Sequence, residues 1–90
     1  MLELNVAATL KIMPSDIDVD LNSINDKISK IVEKFGRVNN FEIKPIAFGL
    51  KSLEVVILLN DSTGGIDKIE SEIKKISGVS EIEVTDVTRI

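Results

Sequence analysis

Ninety residues, 43% hydrophobic and 29% charged, suffice for one core but not for a separate substrate domain, and this balance excludes a disordered chain. With no Cys and no His, the chain has no disulfides, thiol chemistry, Ser–His triads or soft-metal sites. A net charge of −4, from 11 basic and 15 acidic residues, comes with no basic stripe, no Trp and no Tyr, which argues against direct nucleic-acid binding.

Residues 2–12 alternate. Leu2, Leu4, Val6, Ala8, Leu10 and Ile12 share one parity, with Glu3, Asn5, Thr9 and Lys11 on the other, so the segment predicts a strand with one buried face. Pro14 and Ser15-Asp16 end it. Asp18 and Asp20 then offer N-caps to an amphipathic helix marked by Leu21, Ile24, Ile28, Ile31, Val32 and Phe35. Lys34 complements the helix end, and Gly36 reads as its C-terminal stop.

A second extended stretch covers 37–48. Pro45 within it cannot donate to a central ladder, so an edge strand or a bulge is expected. Residues 49–51 read as the turn, and the nearly all-apolar 53–59 as an interior strand. The polar cluster 60–65 breaks the chain. Ile66, Ile69, Ile73 and Ile76 mark a second helix closed by Gly78. A last strand begins at Val79, with Ile82 and Val84 on the face opposite Glu81, Glu83 and Thr85. The order is βαββαβ, which predicts an α+β, ferredoxin-like plan: a four-stranded antiparallel sheet with two helices on one face. Residues 1–90 are read as one domain. The longest apolar run, 55–59, is far too short to span a membrane. The N-terminal segment lacks a basic-then-apolar layout, and a cytoplasmic protein is expected.

Few residues invite a chemical reading. The cluster 60–65 has glycines but lacks the Gly-Lys-Ser/Thr ending of a phosphate loop, and a strand-to-helix turn explains it. Asp16, Asp18 and Asp20 lack the mid-loop Gly and distal acid of a calcium loop, whereas helix capping accounts for them. Phe48 is ambiguous: Phe41 and Ile43 share one parity, Ile46 and Phe48 the other. Either a bulge at Pro45 restores the phase, or Phe48 projects away from the face that Phe41 uses. Val56 and Leu58 fall on the sheet face away from the helices, where they either meet a partner or lie under loops. Arg89, by pattern alone, is an ordinary terminal cation. No catalytic residue, metal site or cofactor is expected.

Several blocks in combination carry a resemblance. They are Lys11-Ile12-Met13-Pro14, Asp18-Val19-Asp20-Leu21 and Pro45-Ile46-Ala47-Phe48-Gly49-Leu50-Lys51-Ser52-Leu53, followed by Gly64-Gly65, Gly78-Val79-Ser80 and Val84-Thr85-Asp86-Val87-Thr88-Arg89-Ile90. Over essentially its whole length the sequence resembles the archaeal translation elongation factor 1-beta family, related to the catalytic C-terminal domain of the eukaryotic factor. The resemblance implies a guanine nucleotide exchange factor for elongation factor 1-alpha, the GTPase that delivers aminoacyl-tRNA. It also implies a GTPase-binding set of Phe48, Gly49, Lys51, Arg89 and Ile90. In eukaryotic relatives an aromatic in the Phe-Gly turn enters a pocket on the GTPase, and a basic residue next to the C-terminus reaches towards its magnesium and phosphate loop. Those roles fall on Phe48 and Arg89. The eukaryotic basic residue is typically Lys; Arg keeps the charge but carries a larger, planar head. The alternative is a ferredoxin-like regulatory or interaction module that binds a metabolite or dimerises through its open sheet face.

Overall fold

The computed structural model describes residues 4–60 and 65–90. Along the chain run β1 (Val6–Pro14), α1 (Leu21–Val32), β2 (Gly36–Ala47), β3 (Leu50–Leu59), α2 (Gly65–Lys74) and β4 (Val79–Arg89). All strand pairs are antiparallel, in the spatial order β2-β3-β1-β4. This is the expected ferredoxin-like arrangement.

Alternation dictates which face is dry. On β1, Ala8, Leu10 and Ile12 are buried, and β3 places Leu53, Val55, Ile57 and Leu59 beside them on the same face. Leu21, Ile24, Ile28 and Val32 of α1, with Ile69 and Ile73 of α2, close over these strand residues in one apolar cluster. Both helices therefore cover the same side of the sheet. Burying a side chain of this size contributes about 1.5–3 kcal/mol, so the branched aliphatics supply the stability of a chain that has only three aromatics. Val56 and Leu58 point to the other face and are only partly buried.

Several local details depart from the pattern-based expectation. Asp20, not Asp18, caps α1: its Oδ1 accepts from the backbone N–H of Asn22 at 3.0 Å and of Ser23 at 3.3 Å. The helix ends at Val32, before Lys34 and Phe35, and a tight turn follows in which the Phe35 N–H donates to the Val32 carbonyl at 2.8 Å. Gly36 is thus not the helix stop; it is the first residue of β2. Of the polar cluster, 61–64 lie outside the described residues, and Gly65 already belongs to α2.

What Gly36 provides is proximity. A Cβ built there would fall 1.8 Å from the Leu58 carbonyl oxygen, a backbone atom held in the ladder where Gly36 pairs with Leu59. No side chain can swing away to make room. Gly36→Ala is therefore expected to force β2 and β3 apart at this end and to cost about 2 kcal/mol or more. Chemical denaturation of the purified variant measures this, and an unchanged midpoint would show that the strands yield easily.

Pro45 has both consequences expected of it. Strand β2 is an edge strand, and its register with β3 shifts between Pro45 and Ala47, with a second shift between Val38 and Asn40. These irregularities blunt the edge against pairing with other chains. On the helix-free face Glu42 lies directly opposite Glu54, an unfavourable pairing that Lys44 offsets. Its ammonium lies 3.1 Å from Glu54 and 3.9 Å from Glu42. The hydrogen bond to Glu54, aided by both carboxylate charges, raises the Lys44 pKa above its usual value.

Candidate functional site

The β2–β3 connection is a two-residue hairpin. Ala47 pairs with Leu50, which leaves only Phe48 and Gly49 to reverse the chain. Their φ angles, +53° and +81°, are the successive positive values of a type I′ turn, whose twist matches that of the flanking strands. The turn is thus two residues, 48–49, and not 49–51: Lys51 already belongs to β3, exposed and opposite Pro45. The bulge at Pro45 is present, but Phe48 is in the turn itself, beyond the last strand pair, so parity does not decide its exposure. Glycine adopts positive φ without penalty, whereas for a residue with a Cβ this region costs roughly 1–2 kcal/mol. Phe48 is the one residue other than glycine with positive φ among those described, and it is 98% exposed. A large apolar ring held in water on a strained backbone contributes nothing to the core.

The hairpin tip has apolar neighbours. Ile46 is 42% exposed, and Ile17, in the loop between β1 and α1, is 60% exposed. Ile17 lies against the turn, since a Cβ built on Gly49 would be 3.8 Å from its Cγ2. No periodicity marks Ile17 in the sequence. Its only signal is an apolar residue between two aspartates in a segment that otherwise reads as a polar turn.

Arg89 and Ile90 are elsewhere. Arg89 is the last residue of β4 and pairs with Val6, while the Ile90 N–H donates to the Asn5 carbonyl at 3.0 Å. The Asn5 N–H in turn donates to the Leu59 carbonyl at 2.9 Å, which ties this terminus into the sheet. Arg89 shares a face with Val6 and Val87 and lines an open cleft of about 460 Å³ at the start of α2, together with Asn60, Ile66 and Asp67. Both Val87 and Ile90 are exposed.

The five residues expected at the site thus form two groups. Phe48, Gly49 and Lys51 occupy the end of the sheet where Ile12 meets Leu53. Arg89 and Ile90 occupy the opposite end, where Val6 meets Leu59. Strand β3, ten residues long, runs between them, and at about 3.3 Å per residue it sets them roughly 30 Å apart. The longest dimension of the molecule is 41 Å.

The loop that contains Asp16, Asp18 and Asp20 uses two of its carboxylates locally. Asp16 Oδ1 accepts from the Ile17 N–H at 2.6 Å, and Asp20 caps α1. Among the described residues no three acidic side chains gather in a way that could hold a metal ion.

The fold is an antiparallel sheet with both helices on one side and exposed side chains at each end. Two solved structures share the fold at low identity. The ACT domain from the GTP pyrophosphokinase of Chlorobium tepidum superimposes with a TM-score of 0.62 at 16% identity, covering 89% of this chain and 97% of that one. The C-terminal domain of the MgtC protein from Mycobacterium tuberculosis gives 0.67 at 10% identity, over 97% and 88%. The sequence comparisons are narrower. Residues 7–90 match the EF-1 guanine nucleotide exchange domain. Elongation factor 1-beta of Methanothermobacter thermautotrophicus is 40% identical over 86 residues, 96% of this chain and 97% of that protein. Elongation factor 1-beta of Methanosarcina barkeri is 40% identical over 87 residues, and that of Staphylothermus marinus 38% over 86. The chain belongs to the EF-1 guanine nucleotide exchange domain family and is a guanine nucleotide exchange factor of translation elongation.

Proposed function

We propose that the chain, as a single domain in the cytoplasm, engages elongation factor 1-alpha at both ends of its sheet, with Phe48 as the anchor at one end and Arg89 as the working cation at the other. The observation that carries this reading is the strained, water-exposed Phe48 ring, which the fold holds out at an energetic cost and does not use in its core. The separation of about 30 Å between the two groups supports a contact that spans two parts of the GTPase.

A GTPase holds its nucleotide through phosphate-loop amides, a Lys and a Mg²⁺ that bridges the phosphates. Phe48 supplies binding energy remote from that centre, with Gly49 shaping the turn and Lys51 adding charge at its base. Arg89 brings a positive charge towards the metal, where like-charge repulsion disfavours Mg²⁺ and leaves the phosphates to repel one another. Ile90, next to it in the chain and exposed, adds apolar contact with the GTPase. No bond in the nucleotide is made or broken. Linkage requires that a factor which weakens nucleotide binding is itself bound more weakly by the nucleotide-bound GTPase. The factor therefore speeds release in both directions and leaves the equilibrium between GDP and GTP unaltered.

Release of a fluorescent GDP from elongation factor 1-alpha, followed with and without this protein, tests the reading. The expected result is faster release that saturates with factor concentration and acts at substoichiometric amounts. Release at the spontaneous rate across the whole titration would overturn it.

A further inference from the structure

From the geometry of the hairpin end we infer that Ile17 is a second apolar anchor, which with Ile46 forms a single docking pole with Phe48, and that this pole enters one apolar pocket of the same GTPase. The inference rests on the exchange-factor reading above.

Exposed aliphatics scattered singly over a surface need no explanation, but a group of them does. Among the described residues the large, well-exposed apolar side chains are Ile17, Phe41, Ile46, Phe48, Val87 and Ile90. Three of these six belong to the hairpin end. Ile46 is two residues before Phe48 on β2, and Ile17 reaches the same turn from a different element, within van der Waals range of where a Gly49 side chain would begin. What reserves position 49 for glycine is its φ of +81°, not lack of space beside Ile17.

The loop does not let Ile17 fold inward. The Ser15 N–H donates to the Gly78 carbonyl at 2.8 Å and the Ile17 N–H to Asp16 Oδ1 at 2.6 Å, while the Val19 N–H points to the Asp16 carbonyl at 3.4 Å. Val19 is the residue of this loop that packs against the core, leaving Ile17 outside at 60% exposure. A β-branched side chain on a pinned backbone has few conformations to lose on docking, as does the two-torsion ring of Phe48. A few pre-ordered groups that fill a desolvated pocket can carry most of an interface's binding energy. Because Asp16, Asp18 and Asp20 flank Ile17, the matching pocket is one with basic groups at its rim.

The test is a double-mutant cycle on the full chain, with GDP release from elongation factor 1-alpha as the readout and thermal melting as the check on folding. Wild-type factor must first accelerate release; if it does not, the exchange-factor reading has failed and this inference with it. Given that activity, Ile17→Ala is expected to lower the factor's efficiency about 5-fold and Ile17→Asp by at least ~20-fold, with melting temperatures near wild type. In combination with Phe48→Ala the Ile17→Ala loss should shrink, since side chains that share a pocket are not independent. Ile17→Asp within twofold of wild type would overturn the inference and leave the exchange function intact. Losses that simply multiply would also overturn it, by placing Ile17 in a contact separate from that of Phe48. Should Ile17→Asp fold poorly, Ile17→Ala and Ile17→Ser decide the matter by the same two criteria.

Discussion

Phe48→Asn is expected to make the protein more stable and much less active. The turn requires positive φ at both of its positions, and Phe48 meets that requirement against the preference of its own backbone. Asn tolerates the left-handed region, and Asn-Gly is the favoured pair for a type I′ hairpin. With the ring almost wholly in water, little packing is lost when it is removed. The exchange should stabilise the fold by about 1 kcal/mol and raise the melting temperature by about 4 °C or more. Phe48→Ala retains a Cβ at the same φ and should melt close to wild type. Both variants are expected to slow factor-stimulated GDP release at least ~10-fold, or about 1.4 kcal/mol of transition-state stabilisation. Opposite movements of stability and activity would distinguish a residue kept for its partner from one kept for the fold. A melting point several degrees lower in Phe48→Ala, with activity tracking the folded fraction, would instead make Phe48 a structural residue.

The second large effect concerns Arg89 and follows from the proposed action on the metal. Arg89 sits at the end of β4, paired with Val6, so the strand carries it to the edge of the domain on a fixed backbone. If its charge acts by displacing Mg²⁺, its contribution depends on that ion being present. In millimolar Mg²⁺, Arg89→Ala should sharply slow stimulated release, by at least ~10-fold. With the metal chelated, spontaneous release is already faster, and the gap between wild type and variant should narrow. Arg89→Lys is expected to retain most of the activity, because the charge and not the planar head does the work. A defect of equal size with and without Mg²⁺ would assign Arg89 to docking alone. Phe48→Ala supplies the contrast, since an anchor about 30 Å away should lose the same factor in both conditions.

The two ends also explain why the scaffold needs so little chemistry. What it contributes is a distance and a direction, and a four-stranded sheet closed by one aliphatic cluster keeps both. The hydrogen bonds of Asn5 with Leu59 and Ile90 hold the far end in the ladder, so that Arg89 is borne by a strand and not by a tail.

Element type and order were legible in the sequence because they rest on periodicity. Alternation along residues 6–12 and the three-and-four spacing of Leu21, Ile24 and Ile28 each name one buried face, and the structure buries those residues. Pro45 announced a sheet edge or a bulge, since a missing N–H is a local property that no packing can restore, and the structure has both. Phe48, Gly49, Lys51, Arg89 and Ile90 were legible only through resemblance, because no spacing distinguishes them from ordinary surface residues. What the tertiary structure alone decided was their geometry. Parity cannot locate Phe48, because the register shift after Pro45 and the two-residue turn put it outside the strand where parity has meaning. Gly36 looked like a helix stop, since glycine after a helix usually is one, but its role is set by the Leu58 carbonyl, 22 positions further along the chain. The proximity of Ile17 to the hairpin and the distance from Phe48 to Arg89 likewise depend on which strands pair and in what register. Those pairings join residues far apart in the chain, and they are settled only when the shared core closes and selects one arrangement of the whole sheet.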